Sequence, residues 1–262
     1  MHGIRIFVAM LWLALLPVAQ AQSEKMVEIP TRPGVTQRLS VIATPGAKAA
    51  VILFSGGDGG LQIGEDGQPA RQKGNFLVRT RQSFAAQGLF VVMVDAPSDR
   101  QAPPFLQGFR QSAQHVADVK AVIAWTRSAS KLPVWLIGTS RGTQSVGFAA
   151  TELSGADGPD GIVLSSTILI DDKGRPVPDM PLDRLHIPVL VQHHEQDGCP
   201  LCAYSQVPGL MRKLQGAPRS ELQTFGGGRN RGDPCEAMAY HGFNGVEDLV
   251  VRRAAEWITA AR

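Results

Sequence analysis

The run Val134-Trp-Leu-Ile137 is apolar throughout and too short to be a helix of its own, so it reads as a buried strand. It stops at Gly138-Thr-Ser140-Arg-Gly142, and a small-residue segment of helical character follows at once. A strand that reaches G-x-S-x-G and turns directly into a helix has the form of a nucleophile elbow. In so tight a turn neighbouring chain comes very close, and glycines two residues to either side of the serine remove the Cβ atoms that would collide. The hydroxyl is then presented above the sheet edge, at the N-terminus of a helix whose backbone N–H groups favour negative charge. A five-residue pattern is weak alone. Its strand and helix context gives it weight, and it occurs once in the chain.

Around this turn, apolar runs alternate with helical periodicity. Residues 38–43 alternate well enough for an edge strand, and 49–54 form a solid apolar run ending in Ser55-Gly-Gly-Asp-Gly-Gly60. A helix is expected over 76–86, with Gly88 as its stop signal, and a buried strand over 89–94 closed by Asp95. In 110–126 the residues Val116, Val119, Val122, Ile123 and Trp125 fall mainly on one helical face. Beyond the elbow come strands at 161–165, 187–193 and 220–225, with a helix at 205–214. A final amphipathic helix starts at 246, with Leu249, Val250, Trp257 and Ile258 on one face and Asn244 and Glu247 at the spacing of a capping box. Continuous apolar strands alternating with helices predict an α/β fold, a mostly parallel sheet covered on both faces. Ligands bind beyond the carboxyl ends of such strands.

The first 21 residues are expected to stand outside that fold. Arg5 supplies a small positive region, residues 6–18 an apolar stretch, and Ala19-Gln20-Ala21 small residues for cleavage before Gln22. This is the pattern of a secretory signal peptide, and the apolar run is short for a membrane span. A single domain is expected over 22–262, because the Pro- and Gly-containing stretches are short enough to be loops. Loss of Arg5 lowers the formal charge from +3 to +2. So small and evenly spread an excess argues against nucleic acid as a partner, and against a membrane surface once the signal is removed.

A serine hydroxyl needs a base to take its proton and a third group to orient that base. Three strand ends supply a set in the order Ser, Asp, His that an early elbow predicts: Ser140, Asp197 after 187–193, and His241 before the last helix. His241 is the expected general base, and Asp197 the group that fixes its tautomer. Rivals for the acid are Asp171, Asp172 and Glu195; His193 and His194 lie near Asp197 and are candidates to face the pocket. The tetrahedral intermediate needs two donors. One is expected from the backbone N–H of Arg141, the other from Gly57 or Asp58 in the glycine-rich loop, which lacks the Gly-Lys-Ser/Thr of a phosphate cradle. Arg141 and Tyr240 flank these positions and are further candidates for substrate contact.

Together, the glycine-rich loop, the G-x-S-x-G, the late Asp and the His before the final helix resemble the α/β-hydrolase superfamily, over nearly the whole chain after residue 21. The likeness is to small secreted hydrolases of the dienelactone-hydrolase-like kind, with Ser in place of Cys as nucleophile. The chain departs from lipases in lacking a His-Gly-Gly oxyanion loop, and from capped members in having only residues 167–186 where a lid usually inserts. The resemblance implies a serine hydrolase that cleaves an ester or related acyl bond, and does not imply a substrate. So little lid predicts an open site for a small-molecule or exposed-chain acyl substrate, and no cofactor or metal is expected. A secreted peptidase and a non-catalytic binding protein on the same scaffold are the other readings.

The chain has three cysteines, and in an oxidising compartment two should pair. Cys199–Cys235 would tie the acid loop to the histidine loop, and Cys202–Cys235 is its competitor. Cys199-Pro-Leu-Cys202 also has the form of a dithiol redox motif, and Cys199, Cys202, Cys235 and His241 that of a zinc set.

Overall fold

Eight strands form one sheet in the computed structural model, which describes residues 23–260. They are β1 (Glu24–Arg32), β2 (Val35–Ile42), β3 (Ala49–Phe54), β4 (Leu89–Pro97), β5 (Val134–Thr139), β6 (Gly161–Ser165), β7 (Val189–His194) and β8 (Ser220–Phe225), in the spatial order 1-2-4-3-5-6-7-8. β3 to β8 run parallel, while β1 and β2 are antiparallel additions at one side. The helices are α1 (Phe76–Ala86), α2 (Ala113–Ser130), α3 (Gly142–Glu152), α4 (Val207–Lys213) and α5 (Glu247–Thr259).

Period-two alternation divides the core. Ala50, Ile52 and Phe54 of β3 pack with Val119, Val122 and Ile123 of α2, Val146 of α3 and Leu210 of α4. Val51 and Leu53 face the other way, onto Phe76, Leu77 and Phe84 of α1 and Val250, Ala254 and Trp257 of α5. A strand buried on both faces has no polar side, which is why β3 and the Val134–Ile137 part of β5 read as unbroken apolar runs. α1 is capped by the Asn75 side chain accepting from the Leu77 N–H, and Gly88 follows it at φ +79°.

Several sequence-based expectations are corrected. The strand at 38–43 is not an edge, because β1 pairs outside it. Only Ile29 of β1 is fully buried, so that strand carries almost no hydrophobic signal; its Glu24 is held instead by Arg81 and Ser40. α2 begins at Ala113, where Ser112 accepts from the His115 N–H, leaving Arg110 in the preceding turn. α4 is shorter than 205–214, with a 3-10 turn, Tyr204–Gln206, ahead of it. The capping box does not form. Asn244 donates to the Met238 carbonyl, and the Glu247 carboxylate accepts from Gly245. Leu249 is 38% exposed, and Val251, Ala254 and Ala255 join the buried face of α5. The expected signal peptide lies outside the described residues.

His115 is buried against Phe54 and Phe109, and neither ring nitrogen has a hydrogen-bond partner among the described residues. Burial, with the Arg110 and Arg32 charges adding to it, pushes its pKa down to about 3. The unfolded chain therefore binds one more proton than the fold between about pH 6.5 and 3, so this group favours unfolding progressively as pH falls. His115→Leu should flatten that part of the stability curve by up to about 1.4 kcal/mol per pH unit. Denaturant unfolding of both proteins from pH 7 to pH 4 measures it, and parallel curves would contradict the assignment.

Candidate active site

The elbow is built by contact between backbones. A Cβ at Gly142 would lie 2.1 Å from the Phe54 carbonyl oxygen, and one at Gly138 would lie 2.6 Å from the Gly142 oxygen. Both positions must be glycine for β3, β5 and α3 to converge. Between them Ser140 has φ +52°, a left-handed conformation that costs a non-glycine residue about 1–3 kcal/mol. Hydrogen bonds hold it there: its N–H donates to the Ser165 carbonyl (3.0 Å), and its own carbonyl accepts from the Thr143 N–H (2.9 Å) and hydroxyl (2.6 Å).

Asp197 follows β7, and His241 lies in the 3-10 turn Tyr240–Gly242 beyond β8. The two side chains meet, with His241 Nδ1 2.9 Å from Asp197 Oδ2. The other carboxylate oxygen accepts from the Cys199 N–H at 2.9 Å, and the Ser166 hydroxyl donates to the His241 carbonyl at 2.7 Å. Burial alone would raise the Asp197 pKa. The His193 imidazole 3.4 Å away, the hydrogen bond from His241 and the Cys199 N–H outweigh it and hold the carboxyl down at about 2. At neutral pH it is an acceptor only, so Nδ1 carries the proton and Nε2 of a neutral imidazole is left with its lone pair. Nε2 is buried and has no hydrogen-bond partner among the described residues. Ser140 and His241 line one cleft of about 440 Å³ with Gly57, Asp58 and Arg141.

The rivals are occupied elsewhere. Asp171 is buried against the Arg141 guanidinium and accepts from Gln144 at 2.8 Å. Glu195 is exposed, and neither it nor Asp172 lines the cleft. His193 Nε2 lies 2.7 Å from the Cys202 carbonyl, the contact it donates to, and 3.4 Å from Asp197, which makes it a second imidazole on the acid. His194 accepts a hydrogen bond from the Gln196 N–H at Nδ1, donates from Nε2 to the Gly227 carbonyl, and stacks on Tyr240 at 4.4 Å. Neither histidine faces the cleft, and Tyr240 does not line it.

Gly57 (φ +56°) and Asp58 bring the glycine-rich loop to the serine; a Cβ at Gly56 would stand 3.0 Å from Ser140 Cβ. Among the described residues no acceptor takes the N–H of Gly57, Asp58 or Arg141. The Asp58 carboxylate is turned away to Arg71 (2.9 Å) and Gln72 (2.7 Å), so its backbone alone faces this task. Two residues that position the loop escaped the sequence reading. Asp95, fully buried at the end of β4, accepts from the N–H groups of Leu61, Gln62, Ile63 and Ala96. Arg110 donates to the loop's carbonyls. A charge closing an apolar strand was a visible signal for Asp95; nothing in the helical periodicity singled out Arg110.

No protein-family model matches the chain, and no curated protein matches it in sequence. Solved structures do. A dienelactone hydrolase from Anabaena variabilis aligns with TM-score 0.61 at 15% identity, over 90% of this chain and 97% of its own. The chain has the α/β-hydrolase fold. An esterase from Pyrococcus furiosus aligns with TM-score 0.63 at 16% identity (90% and 92% covered). A Xanthomonas campestris protein described as an α/β serine hydrolase without a lid gives 0.56 at 15% (92% and 95%). In this chain the segment between β6 and β7 forms no helix of a cap, only the 3-10 turns Val177–Asp179 and Leu182–Arg184.

Cys199 and Cys235 form a disulfide, and Cys202 is a buried free thiol. The competing pair, the dithiol motif and the four-residue zinc set are thereby set aside in this structure. The ligand atoms of Cys199, Cys202 and His241 do lie within 4.8 Å of one another, but the Cys199 sulfur is bonded to Cys235. The bond fastens the residue whose N–H holds Asp197 to the loop that precedes His241. Cys235→Ser should lower stability by about 2–4 kcal/mol through the released 36-residue separation. Chemical denaturation with and without reductant tests this: reductant should destabilise the parent and leave the variant unmoved.

Proposed function

We propose that the protein is a serine hydrolase that cleaves an ester or related acyl bond through an acyl-enzyme. The observation that carries this reading is the free Nε2 of His241, fixed from behind by Asp197 and sharing a cleft with Ser140. Ser140 Oγ attacks the carbonyl carbon as its proton passes to Nε2. The developing oxyanion is met by the N–H of Arg141 and that of Gly57 or Asp58. Collapse expels the alcohol, which takes the proton back from His241, and water repeats the cycle to release the acid. Asp197 stays ionised and stabilises the imidazolium.

The cleft adjoins a second cavity of about 720 Å³, which it meets at Gly57, Asp58 and Arg141. Two spaces that share Gly57, Asp58 and Arg141, with Ser140 in the smaller, suit the two halves of an ester. With no helical cap over them, short acyl groups or exposed bonds of larger molecules fit best. The structural neighbours described as esterases and as a dienelactone hydrolase favour an acyl ester over a peptide. We place the enzyme in the periplasm or outside the cell, with residues 1–21 removed; the disulfide suits that compartment.

A fluorophosphonate probe should label the protein but not Ser140→Ala. Ester turnover should fall on the order of 10⁴-fold in Asp197→Asn, and further in Ser140→Ala and His241→Ala. Labelling that survives in Ser140→Ala, or faster cleavage of peptides than of short-chain nitrophenyl esters, would contradict the reading.

A further inference from the structure

Arg110 is a buried guanidinium with no carboxylate partner within ion-pair distance among the described residues. Its neighbour Asp58 is already bound to Arg71 and Gln72. Burial and the nearby Arg141 charge push its pKa down to about 9 against a smaller pull from Asp58, which leaves it charged at neutral pH. A lone buried charge is costly unless something in the fold takes up its field. Here that something is a row of carbonyls. One terminal nitrogen lies 3.1 Å from the Ser55 oxygen, 3.4 Å from that of Gly56 and 3.3 Å from that of Gly57. The other donates to the Ser145 hydroxyl on α3 at 2.9 Å. Nε makes no hydrogen bond among the described residues. The chain leaves no room for a larger neighbour, since a Cβ at Gly59 would come within 2.6 Å of the guanidinium.

We infer that Arg110 is a positioning residue for oxyanion stabilisation, clamping and polarising the loop that supplies one of the two donors. The inference rests on the reading of Ser140 as nucleophile. In a trans peptide the C=O and N–H point opposite ways. The carbonyls of Gly56 and Gly57 belong to the peptides whose N–H groups are those of Gly57 and Asp58, the two candidate donors. Holding the carbonyls on the guanidinium aims these N–H groups to the opposite side, and the positive charge behind each peptide enlarges its dipole. The Ser145 bond ties the same guanidinium to the elbow helix, so loop and serine are registered against each other. Fixed dipoles and charge of this kind act on the tetrahedral intermediate much more than on the neutral ester, so they affect kcat and not substrate binding.

The test compares Arg110→Met, Arg110→Lys and Ser145→Ala with the parent, using a short-chain nitrophenyl ester and a trifluoromethyl ketone, whose hemiketal oxygen occupies the oxyanion position. Rates are expressed per site titrated by fluorophosphonate, so unfolded protein does not count. Arg110→Met should lose about 10²–10³-fold in kcat with KM within about twofold. Its affinity for the trifluoromethyl ketone should fall by a similar factor, while that for a neutral product alcohol holds. Arg110→Lys should recover part of the kcat, and Ser145→Ala should show a smaller loss of the same kind. Unchanged kcat per titrated site in Arg110→Lys and Ser145→Ala would overturn the inference even if Arg110→Met fails to fold. So would a loss spread equally over ester, alcohol and ketone binding. If the parent neither labels at Ser140 nor turns over ester, the functional reading itself fails, which is a different result from labelled, fully active Arg110 variants.

Discussion

The close approach of three backbones at Gly138 and Gly142 is the constraint on which the rest of the site depends. β3 ends where α3 begins, and the Phe54 carbonyl occupies the space that any side chain at 142 would need. This forces Ser140 into a left-handed conformation and lifts its hydroxyl clear of the sheet. It also brings the loop after β3 against the serine, because that loop starts at the residue touching Gly142. The proposed nucleophile and the proposed oxyanion donors are thus two consequences of one packing contact. The strain at Ser140 is held in place by hydrogen bonds from the end of β6 and the first turn of α3.

The acid and the base are assembled differently. They come from loops after β7 and β8, which among the described residues make no backbone hydrogen bond to the elbow. Their register is set by polar links: Asp197 with His241, Cys199 N–H with Asp197, Ser166 with the His241 carbonyl, and the Cys199–Cys235 disulfide. A two-nitrogen base held from one side only is left free on the other. Behind the glycine-rich loop, Asp95 and Arg110 supply a similar scaffold of opposite sign, the one accepting from N–H groups and the other donating to carbonyls.

Much of this was legible in the sequence because burial on two faces leaves long apolar runs and because chain order constrains which Asp and His can serve the elbow. The strands at 49–54, 161–165 and 220–225 and helix α1 match the structure in their bounds, and the Cys199–Cys235 pairing was expected. What was missed obeys other physics. β1 is held by its backbone ladder and by Glu24, so it has no hydrophobic alternation to read. The turn before α2 keeps helical spacing although its N-cap is Ser112, which hid Arg110 within an apparent helix face. The capping-box spacing at Asn244 and Glu247 was satisfied in sequence, but Asn244 found a stronger tertiary partner in the Met238 carbonyl. Local patterns report elements well; a side chain that serves a distant loop leaves no period.

The central claim is that covalent chemistry occurs at one hydroxyl, Ser140, raised by backbone packing. Rapid-quench mass spectrometry during hydrolysis of a nitrophenyl acetate tests it most directly. The account predicts a burst of nitrophenol equal to the enzyme present and a transient acetyl group on the peptide that contains Ser140. Turnover with no acetyl-enzyme at any time, or acetyl carried by another residue at a rate that matches turnover, would contradict it.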